Sequence, residues 1–293
     1  MDKELNFNTY KHQRQDLLLE LETNLVKKLN LVKKTPPVKL SGNFGNENNY
    51  VEFFVKDFSQ YTSQLYKWNK ISLKNFDKYE GLYNMPGPYY LNESGQYSYN
   101  AKLLSWAQVI DYSDRNLVFL KKSANKVFLA LKATEKFFVK KYSLSKKLGE
   151  KVFLITTDML YKQYPNLDAS QREDEITKEH KVVFVYKIGY NLPDKKPHSE
   201  KVFDDHDWKL NGDLFFYDEE NKKAVKLASL GISVDEINLL KQKVYLKLSD
   251  TTLDRYHHEV LARSLPYSIS GEIFQDQLIE LLLGTKQESN NGK

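Results

Sequence analysis

The chain contains no cysteine. That excludes a disulfide framework, a thiolate nucleophile and any zinc or iron–sulfur centre built on cysteine, and it suits a reducing compartment. Arginine is scarce as well: of 44 basic residues, only Arg14, Arg115, Arg172, Arg255 and Arg263 are arginines. Genome composition is the plain source of such a bias, but its consequence holds. Bidentate gripping of a carboxylate or phosphate is arginine's work, and lysine replaces it only as a point charge. Long apolar runs are missing too. No stretch reaches the length of a membrane helix, and the opening "MDKELNFNTYKHQRQDLLLELE" lacks the apolar core of a signal peptide, which points to a soluble cytoplasmic protein without membrane insertion. There is no GxxxxGK[ST] loop, GxGxxG, GxSxG or HExxH, so the common nucleotide and hydrolase signatures do not apply.

What is present is enough apolar material for a sizeable core: 41% hydrophobic residues over 293 positions. The net charge of +5 is spread through the chain rather than gathered into a stripe, which argues against a nucleic-acid partner. Leu17, Leu18, Leu21, Leu25, Leu29 and Val32 recur at helical spacing, predicting an opening helix over 11–33 that "KKTPP" stops. "YVEFFVKDF" and "AKLLSWAQVIDY" read as strands, while 83–100 reads as irregular. A long helix is predicted over 121–144 from Val127, Leu131, Phe138 and Tyr142 among lysines. "KVFLITTDML" and "KVVFVYKIGY" read as strands on either side of a polar helix, "DASQREDEITKEH". A hairpin follows, turning at "DEENKK", then a helix opened by a Ser233/Glu236 capping box, and last a turn at Gly271 leading into an amphipathic helix. The pattern predicts one mixed α/β domain over 1–285 and a disordered tail over 286–293.

Two groups of residues invite chemistry. "FDDHDW" and "LNGD" bring Asp204, Asp205, His206, Asp207 and Asp213 close in sequence, an oxygen-rich set of the kind that suits magnesium, although a solvated loop of turn-forming Asp and Asn residues is the favoured explanation on these residues alone. His257 and His258 are adjacent on a predicted helix and point apart, so one packs and the other faces water.

Taken in order, "ATEKFF", "FLITTDMLYKQYPNLDASQREDEITKEHKVVFVYKIG", "LNGD", "KLASLGISVDEINLLKQ", "RYHHEVLARSLPYSISG" and "QDQLIELLL" resemble the asparagine synthetase A family, the ammonia-dependent aspartate–ammonia ligases. "LVKKTPPVKLSG", "YKWNK" and "EGLY" extend the likeness toward the N-terminus. The resemblance implies a class II aminoacyl-tRNA synthetase-like core, an antiparallel-dominated sheet flanked by helices, in a homodimer. It also implies ATP and magnesium, with aspartate activated to an aspartyl-adenylate that ammonia attacks.

Carried over residue by residue, the family's charged ligands are depleted. The third-motif arginine falls on Gln277, and the stretch that should hold the second-motif arginine, Tyr83 to Ser98, has none. The lysine of the family's "KWK" element falls on Asn69, with Lys67 and Lys70 beside it, and an aspartate of the N-terminal loop falls on Asn48. A metal-binding glutamate falls on Lys226 and the arginine after "LGI" on Ser233, whereas Asp204, Asp213 and Ser229 persist. An ammonium at Lys226 would pair with Asp213, leaving that aspartate a metal ligand only if the chain is active.

On this count the favoured expectation is a non-catalytic pseudoenzyme that binds neither ATP nor magnesium and serves as a structural subunit of a cytoplasmic protein assembly. The alternative is an active ATP-dependent ligase in which Lys67, Lys70 or Arg115 has taken over phosphate binding. A tRNA-binding module ranks third, since no basic stripe supports it.

Overall fold

A computed structural model describes residues 2–34, 81–85, 89–91, 97–99, 103–145 and 147–284. Leu17, Leu21, Leu25 and Leu29 repeat at four-residue intervals along α1 (Asp2–Leu29) and are fully buried, as a single apolar stripe must be. The helix ends before the prolines. Asn30 takes a left-handed φ of 54°, and the Leu31 amide bonds back to the Val26 carbonyl at 3.0 Å, closing the last turn as helix C-termini commonly do. The stripe packs on α2 (Leu117–Tyr142), where Asn116 caps the first turn by accepting from the Phe119 amide at 3.0 Å. Leu120, Val127, Leu131 and Phe138 of α2 complete the contact.

Both helices lie on one face of an eight-stranded sheet ordered β1-β2-β5-β10-β9-β8-β7-β6. Its strands are β1 (Lys33–Lys34), β2 (Gly81–Met85), β5 (Leu103–Val109), β6 (Phe153–Thr156), β7 (Val182–Tyr186), β8 (His206–Asp218), β9 (Lys223–Ser233) and β10 (Ser268–Phe274). Only the outer pairs β1–β2 and β6–β7 are parallel; every pairing between them is antiparallel. This is the antiparallel-dominated sheet flanked by helices that the family resemblance implied. Helix α7 (Gln275–Leu283) adds Leu278, Leu281 and Leu282 to the core on the α1 side. The opposite face is covered at one end by α3 (Thr157–Gln163) and α4 (Ala169–His180), through Leu160 and Ile176 against Val183, Val185 and Phe215. Helices α5 (Glu236–Tyr245) and α6 (Arg255–Leu261) pack together around Leu239, Tyr256 and Val260.

Four local expectations change. Gly271 is not a turn. It lies inside β10, where a Cβ would stand 2.6 Å from the Ser229 carbonyl and 2.9 Å from the Trp106 indole nitrogen, so glycine is there for close approach. The stretch 83–100 contains the end of β2 and a two-stranded ribbon, β3 (Tyr89–Leu91) with β4 (Tyr97–Tyr99). "KVFLITTDML" is half strand and half helix, because Thr156 accepts from the Met159 amide and opens α3. The N-cap of α5 is Asp235, which accepts from the Asn238 amide at 2.7 Å, and not Ser233. The strand expected at "YVEFFVKDF" and the tail lie outside the described residues.

Candidate active site

The candidate site is a polar row across the face of the sheet opposite α1 and α2. Register sets Asp213 of β8 beside Ser229 of β9, Ser229 beside Glu272 of β10, and Glu272 beside Ser105 of β5. Strand alternation places one side chain in two on this face. A bulge adds one more group. The ladder pairs Leu214 with Ala228 but Phe215 with Lys226, so Leu227 is the extra residue, and Leu227 and Ala228 both enter the core. Lys226 is thereby turned onto the face of Asp213, as bulges re-aim side chains beside active sites.

Asp213 is almost fully buried. Its Oδ1 accepts from the Ser229 hydroxyl at 2.7 Å and from Lys201 Nζ at 3.1 Å. Its Oδ2 lies 3.3 Å from Lys201 Nζ and 3.5 Å from Lys226 Nζ. Burial alone would raise this carboxyl, but the two ammonium groups and the Ser229 hydroxyl hold it well below the usual carboxylate range. Lys226 is raised in turn by the Asp213 charge, against its own desolvation. Glu272 moves the other way: burial, then the negative charge of Asp205, push it up to about 7.

The structure therefore brings together three of the residues singled out, Asp213, Ser229 and Lys226. Gln277 stands in an adjoining cleft of about 400 Å³ that Lys226, Lys223, Phe274 and Asn221 also line; its Oε1 is buried with no hydrogen-bond partner among the described residues. Asp204 and Ser233 are not brought to the row's centre. Asp204 is buried against His257, Oδ2 to Nε2 at 2.7 Å, and it is the negative charge of its neighbour Asp205 that acts on Glu272. The Ser233 hydroxyl accepts from the Ser268 amide at 3.1 Å, four residues and roughly 13 Å along the strand from Ser229. Asn48, Lys67 and Asn69 lie outside the described residues. His257 packs and His258 is exposed.

Arg115 is not a phosphate clamp. It is buried, 3.0 Å from Asp235 and 3.6 Å from Asp207, and donates to the Ser233 carbonyl. The acidic residues of "FDDHDW" and "LNGD" thus take separate partners: Asp204 takes His257, Asp207 takes Arg115, and Asp213 takes the two lysines. Sequence reasoning missed Lys201, which sits among other lysines in a loop without a motif, and Glu272, which the supposed turn concealed.

The donor set does not fit a side-chain-held magnesium. Magnesium needs several oxygen ligands in tight octahedral array, yet both Asp213 oxygens are already engaged and the next carboxyl along the row is half-protonated near neutrality. Among the described residues no group of three or more His, Asp or Glu side chains is placed to hold a metal ion.

The sequence model of the aspartate–ammonia ligases matches residues 11–288. The chain belongs to the aspartate–ammonia ligase family. An aspartate–ammonia ligase of Clostridium tetani is 36% identical over 277 residues, covering 89% of this chain and 81% of the relative. One from Clostridium perfringens is 33% identical over 89% of this chain and 82% of its own length. In fold, the chain is similar to asparaginyl-tRNA synthetase of Entamoeba histolytica in complex with asparaginyl-adenylate, with a TM-score of 0.58 and 13% identity over 94% of this chain and 64% of that one. The Pyrococcus horikoshii enzyme gives 0.57 at 12% identity, over 96% and 65%. The chain spans just under two thirds of those synthetases' length, and at such identities the likeness concerns fold alone.

These relatives overturn the pseudoenzyme expectation. Proteins one-third identical to this chain over most of its length are aspartate–ammonia ligases, and losing a particular arginine is not the same as losing positive charge from the site. Lys201 and Lys226 both stand on Asp213. Among the described residues no helix is long and apolar enough to cross a membrane.

Proposed function

We propose that this member of the aspartate–ammonia ligase family is itself an ATP-dependent ligase that forms asparagine from aspartate and ammonia through an aspartyl-adenylate. The observation that carries the reading is the row Asp213–Ser229–Glu272 with its two lysines, across β8 to β10, in a chain whose one-third-identical relatives bear that name. The aspartate side-chain carboxylate attacks the α-phosphorus of ATP and pyrophosphate leaves. Ammonia then adds to the acyl carbon, the added nitrogen loses one proton, and AMP departs with the carboxyl oxygen to leave the amide. Every substrate and leaving group but ammonia is anionic. Lys201 and Lys226 present ammonium groups to that negative charge as point charges, the role lysine fills at phosphates. Asp213 stays ionised and orients both of them, and Ser229 fixes the Asp213 carboxylate. Glu272, with its carboxyl at about 7, stands in the same row as a group able to take a proton near neutrality.

The test is incubation of the full chain with ATP, magnesium, aspartate and ¹⁵N-ammonium, followed by mass spectrometry. Labelled asparagine and AMP in equal amounts support the reading; no asparagine above an enzyme-free control ends it. Asp213→Asn is expected to lower kcat/KM about 100-fold or more, since it releases both lysines. The homodimer implied by the resemblance is part of the same proposal, and light scattering on the eluting protein checks it.

A further inference from the structure

Asp213 carries two cations, and the bulge at Leu227 is what turns Lys226 of β9 onto its face as the second. Lys226 is held from both sides: its Nζ lies 3.5 Å from Asp213 Oδ2 and 5.3 Å from the centre of the Phe274 ring, with the carboxylates of Glu173 and Glu272 adding to the attraction. A cation between a carboxylate and an aromatic face gains from each. It therefore occupies the position from which a divalent ion would have to reach Asp213, and the Ser229 hydroxyl and Lys201 use the remaining lone pairs of the carboxylate.

We infer that Lys226 is a resident cation standing in for a side-chain-bound divalent metal at Asp213, so that any magnesium in the reaction enters and leaves on the phosphates of the nucleotide. Only the mention of a nucleotide rests on the ligase reading; the absence of a side-chain metal site at Asp213 is a property of the free protein. The positive charge at this point is built in, cannot be chelated, and is not lost when product leaves. An ammonium also lacks the strict octahedral demand of magnesium, so Lys226 can pass from Asp213 to a phosphate oxygen by rotating its own stem.

The experiment measures manganese binding to the full chain without nucleotide, by electron paramagnetic resonance, in wild type, Lys226→Glu, Lys226→Met and Asp213→Asn. Wild type is expected to bind no manganese that Asp213→Asn abolishes. Lys226→Glu sets a second carboxylate beside Asp213 and is expected to tighten manganese binding at least about tenfold, with the gain removed when Asp213→Asn is added. Should Lys226→Glu fail to fold, judged by its melting curve, Lys226→Met removes the charge without adding a buried carboxylate and is expected to give a smaller gain in the same direction. Manganese held by wild type and lost in Asp213→Asn would overturn the inference, as would folded Lys226 variants that bind no more tightly than wild type. Asparagine synthesis is scored separately on wild type: its failure removes the ligase reading and leaves the manganese result standing.

Discussion

Glu272→Gln isolates the one carboxyl in the row whose charge state changes near neutrality. Its folded-state value of about 7, against an ordinary 4.5, sets the sign. Below about pH 4.5 the carboxyl is protonated whether the chain is folded or not, and burying it carries no ionic cost. As pH rises toward 7 the unfolded chain ionises first, so stability is lost progressively, and the loss is complete once the folded carboxyl ionises as well. Full burial would make that loss about 3 kcal/mol. Because the side chain is only partly buried by exposed area, water screens some of it, and roughly 1–2 kcal/mol is the expected size. Glutamine keeps the shape and stays neutral, so the variant should be more stable than wild type by that amount at about pH 8 and match it near pH 4.5. Urea unfolding followed by circular dichroism at several pH values gives the difference directly. A difference that is the same at pH 5 and pH 8 would refute the argument.

Three further outcomes follow from buried contacts. Arg115→Ala leaves Asp207 and Asp235 buried without their shared cation and should cost roughly 3–5 kcal/mol in chemical denaturation; Arg115→Lys should recover only part. Gly231→Ala places a Cβ 2.5 Å from the His206 ring, and with the ring held 2.9 Å from the Ser270 hydroxyl the strain should cost about 1–3 kcal/mol, seen as a lower melting temperature. Asp168→Ala removes the capping box formed with Gln171 at the start of α4 and should cost about 1 kcal/mol with no effect on asparagine synthesis.

The parts of the fold visible in the sequence were those in which local pattern and tertiary environment agree. Helix α2 has an uninterrupted apolar stripe, and the β8–β9 hairpin has two apolar runs around a polar turn. Elsewhere the local signal was true but attached to the wrong residue or element. A glycine signals a place where a Cβ is not tolerated, and at Gly271 the cause was the Trp106 indole and a neighbouring carbonyl rather than chain reversal. A cap was expected at Ser233, yet Asp235, two residues later, has the carboxylate that reaches the amide. The candidate site shows the same limit. Asp213, Ser229 and Lys226 were found because a family pattern marks their positions, but Lys201 carries no mark and Asp204 was preferred to Asp205. Which of two adjacent carboxylates turns inward is decided by His257, more than fifty residues away, and no local pattern encodes that.

Strand order has a consequence for synthesis. Among the described strands β10 is the last in the chain, yet it lies between β5 and β9 and pairs with both. While a ribosome is still making residues 268–274, the nascent protein presents two facing open edges, one from β5 and one from β9, each able to pair with another chain. The final strand closes both at once and delivers Glu272 between Ser105 and Ser229 in the same event. Completion of the sheet and completion of the row are one step, so a nascent chain halted before Ser268 is both unprotected and without its site.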